Sequence, residues 1–462
     1  SSLWNTSTAV GKSLMLKALP SSDWLSIRSL SFKRAVYRVA SLLRKEVANR
    51  ILIGGSESPL LFTILLLGTL YAEKTPILMG ADTSTRLPMK EAFDLLLLGE
   101  TESSSGLEAL PHLQVKSDSN EVSAEEIDAF FCSHSLEGTA SLLLYTSGSS
   151  GKPKEIVKTL SQMDAEVASL TEYFSRAQAE NRYGAINGAT VLSTVNPHHQ
   201  YGLTFAVWFP MALGLELSKE RIHYEEMLTL ETSWVLVTTP TFLRTLTTPL
   251  THSPLWAMSA GGKLEESDLA AWRHVSPAPL EEIYGSTECG VIAHRVHREE
   301  GLTDNWALSS DATLTIEEGA PYFFSPHSSS SVQDSLGRVA LDDKLTLLTS
   351  KTFKLLGRAD RVAKIGEKRL SLTEIENTLL TELGLVAQAL VVKRGAREAI
   401  GVIVDREHST TYDSSAHVEY RKKLINHLEP LALPRYWRSV EKMPHNAQGK
   451  LEISVLEKLF YA

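Results

Sequence analysis

The sequence predicts an α/β protein: a large N-terminal domain of mostly parallel sheets flanked by helices, followed by a small α+β C-terminal domain. Three observations carry this. The chain has 462 residues, more than one hydrophobic core of ordinary size accommodates. Short continuous apolar runs alternate with helix-like segments, the pattern of a parallel sheet covered by helices. Near Gly357 a charged run replaces them, which sets domains at 1–357 and 358–462.

In chain order, Phe32, Val36, Val39, Leu43 and Val47 recur at steps of three and four, an amphipathic helix. "RILIGG" reads as a buried strand ending in a glycine turn. The apolar run from Pro59 to Ala72 has proline at a helix start. It is shorter than the roughly 20 residues that cross a bilayer and contains Thr and Gly, so a buried helix is expected and no membrane span. "PILM" (76–79), "DLLLLG" (94–99), "SLLLYTS" (141–147), "TVLSTV" (190–195), "SWVLVTT" (233–239) and "LEEIYG" (280–285) are further strands. The polar stretch Thr101–Asn120 is expected to be an exposed connection, and "SPHSSSSVQDS" (325–335) a low-complexity loop. After Gly357, Thr373 is the expected N-cap of a helix running to Leu380, and "AQALVVK" is a strand. There is no internal repeat.

Hydrophobic content of 43% and charged content of 22% are those of a globular protein. A net charge of −9 speaks against a nucleic-acid partner bound through a general basic surface. Cys132 and Cys289 form neither a metal-ligand spacing nor a disulfide framework. The N-terminal residues lack the pattern of a signal peptide. A cytoplasmic protein is the expectation, monomer or homodimer.

"YTSGSSGKPK" (145–154) follows an apolar strand. Gly148 and Gly151 free backbone N–H groups for an anion, Thr146, Ser147, Ser149 and Ser150 add hydroxyls, and Lys152 and Lys154 add charge. This composition suits a triphosphate, although Ser-Gly clusters are also common as plain turns. It is not a Walker A loop, because Pro153, Ile156 and Val157 favour a second strand where that motif opens a helix. "GKS" at 11–13 lacks the upstream glycine and strand. In "IYGSTECG" (283–290), Tyr284 could stack on a base, Thr287 bond a phosphate and Glu288 hold Mg²⁺. "LLGRADRVAKIGEKRLSLTEIE" gathers Arg358, Asp360, Arg361, Lys364, Lys368 and Arg369 ahead of a helix. "MPHNAQGKLEIS" carries Lys450 in a turn.

In this order the four segments resemble the adenylate-forming superfamily: acyl- and aryl-CoA synthetases, adenylation domains of peptide synthetases, and luciferases. "YTSGSSGKPK" is similar to its phosphate loop, "YGSTE" to its Tyr-Gly-x-Thr-Glu core, "GRADRVAK" to its hinge, and Gly449–Lys450 to its catalytic lysine turn. "PHHQYGLTF" resembles the segment beside the acyl pocket, and "SAGGKL" the loop that carries adenine.

The resemblance implies ATP-dependent activation of an aryl or fatty acyl carboxylic acid to acyl-AMP, with release of pyrophosphate. Transfer to a thiol of CoA, or of carrier-protein phosphopantetheine, would follow. It implies ATP and Mg²⁺ as cofactors, and a carboxylic acid and an acyl carrier protein as partners. Lys450, Glu288, Thr287 and Lys154 would be catalytic. Thr146, Ser147, Gly148, Ser149, Ser150, Gly151, Gly261, Gly262, Tyr284, Gly285, Asp343 and Arg358 would bind nucleotide. Asp342 rivals Asp343 as the ribose ligand. Glu288 would hold Mg²⁺, with Thr146 a second candidate. His199, Tyr201 and Gly202 would border the acyl pocket. The small domain would be mobile about a hinge at Asp360 and present Lys364 for the second half-reaction. Glu155 and Glu367 stand where the family usually has glycine, which bears on the acceptor. Three alternatives stand beside this reading: a ligase that loads only an acyl carrier protein, a P-loop nucleotidase or kinase, and a catalytically silent nucleotide-binding relative. The Pro-Lys end of the loop opposes the kinase, and the presence of Lys450, Glu288 and Thr287 opposes silence.

Overall fold

In the computed structural model, the structure describes residues 29–54, 57–79, 93–99, 112–115, 122–147, 153–180, 185–297, 305–358, 361–365, 368–395, 397–445 and 451–461. The chain forms two compact units. The first is Ser1–Ile316 with Tyr322–Ala340 and Leu347–Phe353; the second is Glu317–Pro321, Leu341–Thr346 and Lys354–Ala462.

The first unit is built on two sheets. One takes β1 (Arg50–Ile53), β2 (Thr75–Leu78), β3 (Leu95–Gly99), β4 (His112–Val115), β5 (Ser141–Ser147) and β6 (Pro153–Thr159) in the order β4-β3-β1-β2-β5-β6. Every pairing is parallel until β5 meets β6 antiparallel. β4 corrects the expectation for 101–120, since four residues of that polar stretch pair with β3. The edge position explains the miss, because an edge strand needs little apolar character.

The second sheet has nine strands among the described residues; seven of them are β7 (Thr190–Ser193), β8 (Glu216–Leu217), β9 (Trp234–Thr238), β10 (Ala257–Ser259), β11 (Leu280–Ser286), β12 (Gly290–His297) and β13 (Asn305–Leu308). They run β13-β12-β11-β10-β9-β7-β8. The pairings from β8 to β11 are parallel, and those of β11–β12 and β12–β13 antiparallel. Each sheet therefore changes from parallel to antiparallel where a hairpin leaves the last parallel strand. Strands such as β9 are buried on both faces, which is why they read as unbroken apolar runs.

Helix α1 (Leu30–Leu43) buries Phe32, Val36, Val39, Ala40 and Leu43. Val47, read into its apolar stripe, lies beyond the helix end and is 99% exposed. Helix α2 (Pro59–Tyr71) is capped by the Ser58 hydroxyl, which accepts from Leu61 N, and is buried almost all round. It crosses α1 closely: a Cβ on Gly68 would lie 2.3 Å from Val39 Cγ1. No helix among the described residues is long and apolar enough to cross a membrane.

The second unit contains the strand β19 (Val362–Ile365; the strands Thr313–Glu317, Ala320–Phe324, Val339–Ala340, Asp343–Leu347 and Thr352–Arg358 are β14 to β18) paired with β20 (Lys368–Ser371), helix Leu372–Leu383, and a three-stranded sheet of Ala387–Arg394, Arg397–Asp405 and Tyr436–Val440. The N-cap of its first helix is Ser371, whose hydroxyl accepts from Glu374 N, and not Thr373. Thr373 sits within the first turn; either hydroxyl fits the capping pattern by sequence.

Because Val39 fills the space above Gly68, Gly68→Val should destabilise the first unit by about 2 kcal/mol through overpacking. The urea midpoint should fall with the slope of the transition unchanged.

Candidate active site

Two hairpins build the site. In the first, β5 pairs with β6 so that Thr146 faces Lys154 and Tyr145 faces Glu155. The loop they support, with Gly148, Ser149, Ser150 and Gly151, lies outside the described residues; of Thr146 and Ser147 only the strand is described. In the second, β11 turns through Thr287, Glu288 and Cys289 into β12. A bulge between Tyr284 and Gly285 tightens that hairpin, and a Cβ on Gly285 would lie 2.4 Å from Gly290 O.

The hairpins meet at Glu288. Lys154 Nζ lies 3.8 Å from Glu288 Oε1, both side chains partly exposed. The same strand explains Glu155. Tyr145 donates its O–H to Glu155 Oε2, and Arg50 Nη2 lies 3.0 Å from that oxygen and 3.1 Å from Tyr145 Oη. Burial, then the hydrogen bond and charge of Glu155, push the Tyr145 phenol up to about 12. The Tyr145 hydrogen bond and then Arg50 hold the Glu155 carboxyl below its usual range. Glu155 thus locks the base of the loop to β1.

Beneath the Thr287–Cys289 turn lies a polar floor that sequence reading missed. Lys158, fully buried, donates to His327 O at 3.0 Å and Glu288 O at 3.5 Å. Glu166, in the helix Leu160–Ala179, accepts from Thr204 Oγ1 at 2.7 Å and Gln200 Nε2 at 3.3 Å. His327 Nε2 donates to Val291 O, and its Nδ1 lies 2.6 Å from Ser325 Oγ and 3.1 Å from Asp311 Oδ2. Burial lowers the His327 imidazole, but the Asp311 hydrogen bond and the Glu166 and Asp311 charges outweigh it and hold it above its ordinary value. Ser329 N–H donates to Glu288 O, and Gln162 Nε2 to Ser328 O. The segment 325–335 is a loop, as expected, with a 3-10 turn at Ser330–Val332, but its residues Ser325, His327, Ser328 and Ser329 are buried. Of its serines, Ser325, Ser328 and Ser329 pack inside, while Ser330 and Ser331 are exposed.

Tyr284 is half-buried, its ring centroid 5.6 Å from that of Trp306 and 6.2 Å from that of Phe353. Gly261 and Gly262 are exposed at the end of β10. Tyr201 donates its hydroxyl to Met258 O on β10, and burial pushes its phenol well above the ordinary value. Gly202 lets the backbone pass close: a Cβ there would lie 2.2 Å from Asn196 O. These residues open a helix that is α over Gln200–Gly202, π over Leu203–Trp208 and α again over Phe209–Leu213. His199 precedes it, half-buried. Its neighbour His198 is buried between Ile53 O and Asn196 Oδ1, and burial lowers it to about 4, so it is neutral and structural.

The structure therefore brings Lys154, Thr287, Glu288, Tyr284 and Gly285 together on two adjoining hairpins, with Gly261, Gly262 and Tyr201 at the neighbouring strand end. Asp343, which opens the strand Asp343–Leu347, and Arg358, which ends Thr352–Arg358, belong to the second unit, as does Lys364 in β19. Asp360, Glu367 and Lys450 lie outside the described residues. One carboxylate beside a loosely held lysine can bind a cation shared with phosphate oxygens.

Residues 97–315 match the family described as AMP-binding enzyme. The 4-coumarate–CoA ligase of Cereibacter sphaeroides is 25% identical over 71% of this chain and 74% of its own length. The 3,4-dihydroxybenzoate–[aryl-carrier protein] ligase of Bacillus anthracis is 23% identical over 69% and 73%. ATP-bound MatB from Rhodopseudomonas palustris superposes with a TM-score of 0.73, covering 93% of this chain and 92% of that one at 18% identity.

Glu155→Gln should bring the Tyr145 phenol down from about 12 towards its ordinary value of 10. The raised phenol gives stability that holds below pH 10 and is lost as pH rises towards 12. The depressed Glu155 carboxyl gives stability present above pH 4.5 and lost as pH falls through its folded value. Spectrophotometric titration against Tyr145→Phe, with urea midpoints across pH, reads both; an unmoved phenol would break the assignment.

Proposed function

The chain belongs to the adenylate-forming superfamily of AMP-binding enzymes, and from that premise we propose that it joins an aryl or fatty acyl carboxylic acid to a thiol through acyl-AMP. The observation that carries this reading is the meeting of the two hairpins at Glu288, which sets a lysine of the loop hairpin against the carboxylate of the Tyr-Gly-x-Thr-Glu turn.

In the first half-reaction a carboxylate oxygen attacks the α-phosphorus of ATP. The bond from that phosphorus to the bridging oxygen breaks, and pyrophosphate leaves with its electron pair. Two anions must meet, so positive charge has to lie between them. Lys450 would bridge the carboxylate and the α-phosphate. The 148–151 backbone would hold the β- and γ-phosphates, with Thr146, Ser147 and Lys154 supporting it. Thr287 would orient the α-phosphate, and Tyr284, Gly285, Gly261 and Gly262 would flank the adenine. Asp343 would take the ribose hydroxyls, and Arg358 the ribose or a phosphate. The donor set fits magnesium: Glu288 is a partly exposed carboxylate whose lysine partner stands beyond hydrogen-bond distance. Glu288, with Thr146 as a second candidate, would hold the ion, which when bound neutralises charge on the phosphate oxygens.

His199, Tyr201 and Gly202 would border the acid. A thiol of CoA or of a carrier protein then attacks the acyl carbon and AMP leaves. Rotation of a C-terminal domain, 358–462, about Asp360 would exchange Lys450 for the face that carries Lys364. A ligase that loads only a carrier protein is the second reading, motivated by the post-hinge turn, where Glu367 stands in place of the family's usual glycine.

The test is carboxylate-dependent exchange of labelled pyrophosphate into ATP, screened over aryl and fatty acids. ATP binding without exchange for any acid would overturn the reading. Lys450→Ala should lower exchange by roughly 100- to 1,000-fold while thiolysis of supplied acyl-AMP persists.

A further inference from the structure

Lys158 carries the strongest unassigned signal. It lies on β6 four residues beyond Lys154, so alternation along the strand points both side chains to one face. The two reach one residue from opposite ends: Lys154 lies 3.8 Å from the Glu288 carboxylate, and Lys158 donates to the Glu288 carbonyl at 3.5 Å. Lys158 also donates to His327 O at 3.0 Å, so one ammonium joins the turn above it to the buried serine-rich segment beside it.

Keeping a fully buried ammonium is costly unless opposite charge and acceptors surround it. Burial lowers its pKa, and the Glu166, Cys289 and Glu288 charges oppose that, Glu166 most strongly. Glu166 is 1% exposed and lies under the end of the same turn, where a Cβ on Gly290 would come within 2.3 Å of its Oε2. Its other partners, Thr204 and Gln200, belong to the helix that bears Tyr201. A methionine would fill the Lys158 site without any charge to balance, so space-filling does not account for the lysine.

We propose that Lys158 is a positioning residue for adenylation: its ammonium, held between the Glu288 and His327 carbonyls, fixes the backbone of the Thr287–Cys289 turn so that the Glu288 carboxylate meets Mg²⁺ and the phosphates. This rests on the function proposed above. Lys158 touches no substrate and acts through Glu288.

The experiment compares wild type, Lys158→Met and the charge-neutral pair Lys158→Met/Glu166→Gln. It reads urea stability, ATP affinity by calorimetry with and without Mg²⁺, and the kcat, KM and Mg²⁺ requirement of pyrophosphate exchange. Lys158→Met alone strands Glu166 and should lose stability. The double variant should recover that stability, yet bind ATP in the presence of Mg²⁺ about tenfold more weakly and need about tenfold more Mg²⁺. Affinity without Mg²⁺ should change little. A double variant with wild-type Mg²⁺ dependence would overturn the proposal, leaving Lys158 as the neutraliser of Glu166 alone. A double variant that does not fold would overturn it equally, because the pair would then be needed for folding. Wild-type protein that binds ATP without exchanging pyrophosphate would sink the enzymatic reading instead, and the calorimetry would still judge Lys158.

Discussion

The antiparallel register of β5 on β6 is the constraint on which the site depends. Parallel strands deliver their loops to one end of a sheet, but a parallel crossover cannot place two ends of a short loop side by side. The hairpin does. Its register sets Thr146 against Lys154 and Tyr145 against Glu155, and alternation then turns Lys154, Ile156 and Lys158 to one face. A one-residue slip would carry all three to the other face and leave Glu288 without either lysine. The bond of Tyr145 to Glu155, reinforced by Arg50, opposes that slip from the opposite face.

The second hairpin depends on the first through what lies between them. Glu288 presents its carboxylate to Lys154, while its carbonyl accepts from both Lys158 and the Ser329 N–H. Polar groups in a low-dielectric interior hold strongly when every partner is present, and cost dearly when one is missing. Ser325, Ser329, His327 and Asp311 supply most of those partners in small volume, while Ser328 Oγ, Asp311 Oδ1 and Gln200 Oε1 are buried without one among the described residues. The helix Leu160–Ala179 joins the arrangement at its start, where Thr159 and Gln162 form a capping box and Gln162 also reaches Ser328 O. The face where the two hairpins meet thus rests on a polar layer, whereas the aliphatic core lies behind it around α1 and α2.

This division explains which features were legible. Parallel strands buried on both faces announce themselves as apolar runs, so β1, β2, β3, β5, β7 and β9 stand out in the sequence. The Ser-Gly segment 145–154 and the Tyr-Gly-x-Thr-Glu turn are each contiguous in sequence, and local chemistry suffices to single them out. The floor is not contiguous. A lysine on a strand next to polar neighbours reads as solvent-facing, and nothing local tells Lys158 from Lys154. Glu155 is intelligible only beside Arg50, 105 residues away. A serine run reads as flexible because loops and hydrogen-bonded interiors share that composition. His327 lies in the middle of it, and its partner Asp311 is sixteen residues back.

The same separation bears on which acid the protein would choose. Phosphate chemistry needs cations and N–H groups in fixed positions, and these appear as motifs. Acid selection needs shape, set by side chains from several elements. Tyr201 shows how shape is fixed: its hydroxyl is committed to Met258 O, and burial keeps the phenol protonated. It can serve as a wall but not as a base. Its ring lies 5.4 Å from that of Phe205, inside a π-helical segment whose wider turn displaces the side chains that follow. An uncharged aromatic wall cannot neutralise the carboxylate of the acid. In the proposed reading that charge is met on the phosphate side, by Lys450 and the ion at Glu288. The wall is then free to vary between substrates without disturbing the hairpins that carry the chemistry.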